Sequence, residues 1–380
     1  MDVKRCTKCV LPEIYPGITF DENGVCNVCL NYKKKEPLGE DELRKLLSAY
    51  KGKGGKYDCL VGTGGGRDST YVLYAAKRIF NLNVLALNYD NGFRNPQGLA
   101  NLKRACEILN VDYITAGSKV DMQLLSTHLE HAIPYGPAFA KQRMCWPCMT
   151  GGKWLLHKTA IKEKIPVLFW GFSKAEELSF EDRLFTKEFF GREGIRKNLL
   201  TINKLSVLKY MYYIARLRLQ FWTPKTGIIG NMKDIRGRVR PIDRNKNIKE
   251  VYFYDYIEWD RRKIKKTLME ELGWKKPDDY VSTWRFDCRL HHTLVNHCFK
   301  SMMGFDDLTD GYANMVRLGY MSRETALKQM ELEEKQDRKP EIISILREEL
   351  KIPNHLIDKF LSYSYIKSTT PPQADGVLKT

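Results

Sequence analysis

Three groups of residues have the types and spacing to do chemistry. The first is "LVGTGGGRDSTYVLYAAKRIF", residues 60–80, where Gly62, Gly64, Gly65 and Gly66 surround Thr63 and lead directly into Arg67, Asp68 and Ser69. Glycine is selected where backbone must take positive φ or let a ligand approach its N–H groups. The apolar residues before the loop predict a buried strand, and those after it have helical spacing. Strand, bare loop and helix N-terminus together aim donors and a helix dipole at an anion, so the segment predicts a phosphate site. The second group is Cys6-x-x-Cys9, sixteen residues, then Cys26-x-x-Cys29. Each pair wraps one side of a tetrahedral ion, and the spacer holds a hairpin, which predicts a structural zinc. The third is softer. Cys145 and Cys148 in "RMCWPCMTGG" form another C-x-x-C, and "CRLHHTLVNHC" gathers Cys288, His291, His292, His297 and Cys298. A second metal or redox site is one reading of these, and packed, inert side chains are the other. Arg285 and Arg289 could hold an anionic or sugar substrate together with His291 or His292, or sit in surface ion pairs.

The elements that must position these residues follow from the patterning. Strands are predicted at residues 57–61, 84–89, 113–116 and 167–170, alternating with helices at 68–81, 98–109, 120–131 and 153–164. Such repetition predicts an α/β, doubly wound parallel sheet with ligands at the carboxyl ends of its strands. That edge would carry the glycine loop, Asn88 and Asp90, and Gly171. Residues 1–36 read as the zinc ribbon, 57–180 as the nucleotide-binding unit, 181–365 as an insertion and a mainly helical region, and 366–380 as a disordered tail. Beyond residue 175 the alternation stops. Helices are expected at 40–50, 209–222, 258–272, 287–299 and 324–335, the second of these basic and aromatic. Ten cysteines without a leader segment indicate a reducing, cytoplasmic setting, and no apolar run is long enough to span a membrane. A net charge of +17 over 380 residues calls for an anionic partner without choosing which.

The glycine loop resembles the PP-loop of ATP pyrophosphatases, S-G-G-x-D-S, here Gly64-Gly65-Gly66-Arg67-Asp68-Ser69. That resemblance implies that ATP is split to AMP and pyrophosphate, with backbone N–H groups on the pyrophosphate, Asp68 toward Mg²⁺ and Ser69 on a phosphate oxygen. Gly64 departs from the serine, and Thr63 is the candidate to supply the hydroxyl. "CTKCVLPEIYPGITFDENGVCNVC", "VLFWGFSKAEE" and "DDLTDGYANMVRLGYMSRETAL" further resemble the N-acetyl sugar amidotransferase family of lipopolysaccharide and nonulosonic acid (O-antigen) pathways. The likeness spans most of residues 1–335. It implies conversion of an N-acetyl group on a nucleotide sugar or sialic-like acid to an acetamidino group. It also implies ammonia supplied by a separate glutaminase subunit with a barrel-like companion. None of the ten cysteines has the Gly-x-Cys-x-Gly flanks of a glutaminase elbow.

A second reading is a PP-loop sulfurtransferase acting on tRNA or a small molecule. Cys145 and Cys148, with Cys288 as third ligand, would then hold an iron–sulfur cluster. A third is a nucleotide-binding scaffold without catalysis.

Overall fold

The computed structural model describes residues 3–117, 119–173 and 248–365. The helix expected at 209–222, the insertion that follows residue 175 and the tail lie outside the described residues.

Five strands form one parallel sheet: β1 (Cys59–Gly62), β2 (Val84–Asp90), β3 (Asp112–Gly117), β4 (Val167–Trp170) and β5 (Lys249–Tyr252). Their order is β3-β2-β1-β4-β5. The register sets Cys59 beside Val84 on one side and Val167 on the other. The central strands "CLV", "VLALNY" and "VLFW" are buried on both faces, which is why they read as unbroken apolar runs rather than as alternation. The fifth strand departs from the sequence reading, in which the alternation ended near residue 175. Only Val251 of its four residues is buried, so its apolar pattern is too short to register, and pairing with β4 supplies what the pattern lacks.

Helices flank the sheet. The first helices are α1 (Asn27–Leu30), within the cysteine-rich segment, and α2 (Glu40–Ser48). After β1 comes α3 (Arg67–Tyr74), which continues as a π-turn over Ala75–Ile79. Then come α4 (Pro96–Leu109), capped by the Asn95 side chain, α5 (Lys119–Ala132) and α6 (Pro137–Lys162). The sequence predicts a helix only from 153. In the structure α6 begins sixteen residues earlier and takes in Cys145 and Cys148, because tertiary packing overrides the local breakers Pro147, Gly151 and Gly152. After β5 the chain is helical: α7 (Arg261–Leu272), a π-turn at His291–Val295, α8 (Asn296–Met303), α9 (Leu308–Arg317), α10 (Arg323–Glu334), α11 (Lys339–Ser344) and α12 (Asn354–Leu361). No helix among the described residues is long and apolar enough to cross a membrane.

The cysteine-rich segment is part of the main core rather than an appendage. Val10 and Leu11 are fully buried and join the same apolar cluster as Val61, Tyr71, Phe169 and Tyr312.

Candidate functional site: a glycine loop, a four-cysteine centre and a third thiol group

The loop between β1 and α3 is built by close approach. Gly65 takes φ +81°, and a Cβ there would stand 1.7 Å from the carbonyl oxygen of Gly98. No other residue fits that place. The Gly65 carbonyl accepts from the Trp274 indole at 3.0 Å, which pins the loop from the helical region. Gly171, just after β4, is closely approached by the start of α3: a Cβ there would lie 3.1 Å from Ser69 Cα. Thr63 ties the loop to the start of α3. Its hydroxyl accepts from the Gly65 N–H at 3.2 Å and lies 3.1 Å from the Ser69 hydroxyl. Asn88, fully buried near the carboxyl end of β2, has no hydrogen-bond partner for either amide atom among the described residues, and neither has the buried Ser173 hydroxyl beyond β4. Buried polar groups are seldom left so, and a polar ligand at this edge would satisfy both. Asp90 caps the turn after β2 by accepting from Gly92 N–H at 2.8 Å.

Arg67 and Asp68 engage one another. Two guanidinium nitrogens donate to the two carboxylate oxygens at 2.7 and 2.8 Å, and both side chains are buried. Arg67 also donates to Thr283 at 2.8 Å and lies over the Trp259 ring. This pair thus ties the start of α3 to the 259–283 segment. Two residues not singled out in the sequence stand over the loop instead. Arg94 donates to Asp287 at 2.9 Å, and a Cβ on Gly64 would meet both, at 2.9 and 2.8 Å. Their contact joins segments far apart in the chain, so no local signal announces it.

The four cysteines Cys6, Cys9, Cys26 and Cys29 are buried, and their sulfurs all lie within 4.8 Å of one another. Cys6 and Cys29 sulfurs are 4.0 Å apart, and those of Cys9 and Cys26 3.8 Å. Four thiolates about 2.3 Å from one tetrahedral ion stand close to this spacing, so the residues fit a single metal ion. Backbone N–H groups of Cys9, Cys26 and Cys29 donate to the sulfurs at 3.2–3.4 Å. A guanidinium completes the shell: Arg317 Nη1 lies 3.5 Å from Cys9 Sγ and 4.0 Å from Cys29 Sγ. Arg323 Nε donates to the carbonyls of Cys6 and Cys9, both at 2.9 Å.

The softer residues divide. Cys148 and Cys288 converge on Asn91, whose amide nitrogen is 3.5 Å from each sulfur. Cys145 Sγ is 4.0 Å from His291 Nδ1, and His291 Nε2 is 2.8 Å from Asp307 and 3.3 Å from Arg285. Cys148 and Cys288 thus share Asn91, while Cys145 faces His291. Cys145 and Cys148 lie inside α6, away from a helix N-terminus, where a thiol pKa would be lowered. Burial instead pushes the Cys145 thiol up to about 11 and that of Cys148 to about 12. Burial also lowers His291. His292 is elsewhere, stacked on Tyr280 at 4.0 Å and beside Arg338 at 2.9 Å, its pKa depressed by burial to about 3. Arg289 is held by Glu349 and Glu341. His297 faces the Phe360 carbonyl and Cys298 is fully buried.

A parallel sheet of order β3-β2-β1-β4-β5 with a glycine loop after its first strand is the doubly wound α/β fold expected from the sequence, here with a four-cysteine centre ahead of it and helices behind. No family model matches the chain. It is 25% identical over 357 residues to the Uncharacterized protein MJ1599 of Methanocaldococcus jannaschii, covering 91% of this chain and 98% of that protein. Among solved structures it is similar to the U34-tRNA thiolase NcsA from Methanococcus maripaludis with its [4Fe-4S] cluster (14% identity, 89% and 90% of the two chains, TM-score 0.33). NMN synthetase from Francisella tularensis (13% identity, 77% and 92%, TM-score 0.33) is another. NH3-dependent NAD synthetase from Campylobacter jejuni (16% identity, 63% and 94%, TM-score 0.25) is a third. At these scores the fold class rests on the strand order and the loop rather than on superposition.

Proposed function

We propose that the chain is an ATP-dependent amidotransferase of the PP-loop type, converting an N-acetyl group of a nucleotide sugar or sialic-like acid to an acetamidino group. One observation carries this reading above others: the two stretches most similar to the sugar amidotransferases interlock. Arg317 and Arg323, from "DDLTDGYANMVRLGYMSRETAL", close on the sulfurs and carbonyls of "CTKCVLPEIYPGITFDENGVCNVC". A pairing of sequence elements some three hundred residues apart, each incomplete without the other, is unlike an independent ribbon added to a generic ATPase.

An amide carbonyl is a weak electrophile whose oxygen leaves poorly. In the proposed sequence the amide oxygen attacks the α-phosphorus of ATP, and pyrophosphate departs into the glycine loop. Ammonia then attacks the imidate carbon, AMP leaves, and the amidine remains. The loop's N–H groups stabilise the pyrophosphate charge, and the site positions reactants rather than supplying a nucleophile. The four cysteines would hold zinc as a structural ion, and ammonia would come from a separate glutaminase with its barrel-like companion. The test compares nitrogen sources with purified chain, ATP, Mg²⁺ and candidate acetamido sugars. Ammonium salts at raised pH should support AMP release and a product with NH in place of oxygen, while glutamine alone should not. Turnover on glutamine without a second protein would refute the partner requirement.

One arrangement supports a sulfur-transfer reading: Cys148 and Cys288 share Asn91, and Cys145 faces His291. Under it they would hold an iron–sulfur cluster, with tRNA or a small molecule as acceptor. Anaerobically purified protein would then be brown and carry iron lost in Cys148→Ser. Colourless protein with zinc alone would set that reading aside.

A further inference from the structure

Arg67 donates to both Asp68 and Thr283, while Arg94 and Asp287 stand over the mouth of the loop. We propose that Arg94 and Asp287 are the ligand pair of the phosphate loop, Arg94 taking the pyrophosphate end of the nucleotide and Asp287 its divalent cation. This rests on the phosphate-loop reading and adds two residues to it.

The geometry points there in three ways. Both side chains cover Gly64 itself, at 2.9 and 2.8 Å from where its Cβ would be, and Asp287 Oδ1 is 3.4 Å from the Cβ position of Gly66. A phosphate cradled by the loop would therefore touch them. Arg94 is also rigid. Its Nε and Nη2 donate to the Tyr89 carbonyl at 3.0 and 2.8 Å, and Nη1 to Asp287, which accounts for three of its five N–H groups. The other two remain for phosphate oxygens in a fixed fork, the form of donor suited to that anion. Asp287, finally, is fixed by its own backbone: its carbonyl accepts from Asn95 N–H at 3.0 Å, and Arg289 N–H donates to Phe93. The segment from 287 to 289 thus forms a short bridge against 93–95, directly over the loop.

The pairing also explains the departure at Gly64. A serine there would push into the ion pair, so the position is bare and Thr63 carries the hydroxyl. A carboxylate over a phosphate loop repels the bare anion and attracts one bearing Mg²⁺, which typically keeps one or two carboxylates plus phosphate oxygens as ligands. The residue thus makes occupancy depend on the cation, while Arg94 supplies attraction in either case.

The test uses full-length protein and inorganic pyrophosphate, titrated with and without Mg²⁺ by calorimetry. Wild type should bind pyrophosphate more tightly with Mg²⁺. Arg94→Gln should weaken binding about ten- to a hundredfold under both conditions, the worth of charge-assisted hydrogen bonds. Asp287→Asn should move the two conditions in opposite directions, tightening metal-free pyrophosphate while abolishing the Mg²⁺ enhancement. A structural ion pair alone would instead give equal losses in both variants with the Mg²⁺ enhancement intact, and that result overturns the proposal. If Asp287→Asn does not fold, Asp287→Glu keeps the charge but displaces it. It should then raise the Mg²⁺ concentration for half-maximal effect, and an unmoved value counts against the assignment. Wild type that binds no pyrophosphate at any Mg²⁺ concentration contradicts the phosphate-loop reading itself, a separate failure from that of the two residues.

Discussion

At the scale of single residues, Gly65 carries the sharpest expectation. Its φ of +81° and the 1.7 Å approach to the Gly98 carbonyl mean that a methyl group meets backbone, which cannot swing aside. Gly65→Ala should cost roughly 3 kcal/mol or more, from left-handed strain plus overpacking, and should lower the thermal midpoint and nucleotide binding together. Gly66→Ala meets only Asp287 side-chain atoms at 3.4 Å and should be mild in stability by comparison. A second expectation concerns pH. Burial raises the carboxyls of Asp306 and Glu333 to about 7 each, and an oxygen of each lacks a partner among the described residues. A carboxyl raised in the folded state keeps a proton that the unfolded chain has already lost. The two groups therefore stabilise the fold below the ordinary carboxylate range and lose that contribution as pH rises through about 7. Glu333→Gln should flatten the fall in denaturant midpoint between mildly acidic and mildly basic pH. An unchanged slope would show that Glu333 is ionised in the fold.

At the scale of elements, the clamp between α9, the start of α10 and the four-cysteine centre is the feature that local sequence hides. Four thiolates around a divalent ion leave two negative charges in the core, and Arg317 is placed to offset one of them. Arg317→Met should loosen the metal about ten- to a hundredfold, as loss of such outer-shell partners does, measured by competition with a chromogenic chelator. Arg323→Met removes only hydrogen bonds to carbonyls and should affect stability more than metal affinity. Legibility follows the same division. The spacing of Cys6, Cys9, Cys26 and Cys29, and the runs that became β1, β2 and β4, were readable because metal ligation and double-sided burial each leave a local imprint. The fifth strand was not, since Val251 alone faces the core. The beginning of α6 was not, since Pro147, Gly151 and Gly152 read locally as a break. Arg94 with Asp287 was illegible for a different reason: the pair exists only once α4 and the 287–289 segment are brought together.

For the whole molecule, the cysteine-rich segment shares one apolar cluster with one face of the sheet and with α9 and α10, while separate clusters fill the sheet's other face and the helices of the C-terminal region. A ribbon of this length cannot stabilise itself, and here its apolar residues are also the core of its neighbours. Removing the metal should therefore act globally. A strong chelator should lower the cooperative thermal transition of the full chain as one event, and Cys9→Ser should lose both metal and solubility. A separate low-temperature transition confined to the first residues would show that the centre is an independent module. Metal analysis of the untreated protein should give one zinc per chain. Loop and centre would then belong to one folding unit.

The central claim is that this loop binds the pyrophosphate end of ATP and that the chain breaks the bond to the α-phosphorus. ³¹P NMR of a reaction containing the purified protein, ATP, Mg²⁺, ammonium and an acetamido nucleotide sugar reads that bond directly. AMP and pyrophosphate, appearing in equal amounts and only when the sugar is present, are the predicted products. ADP and orthophosphate would contradict the account.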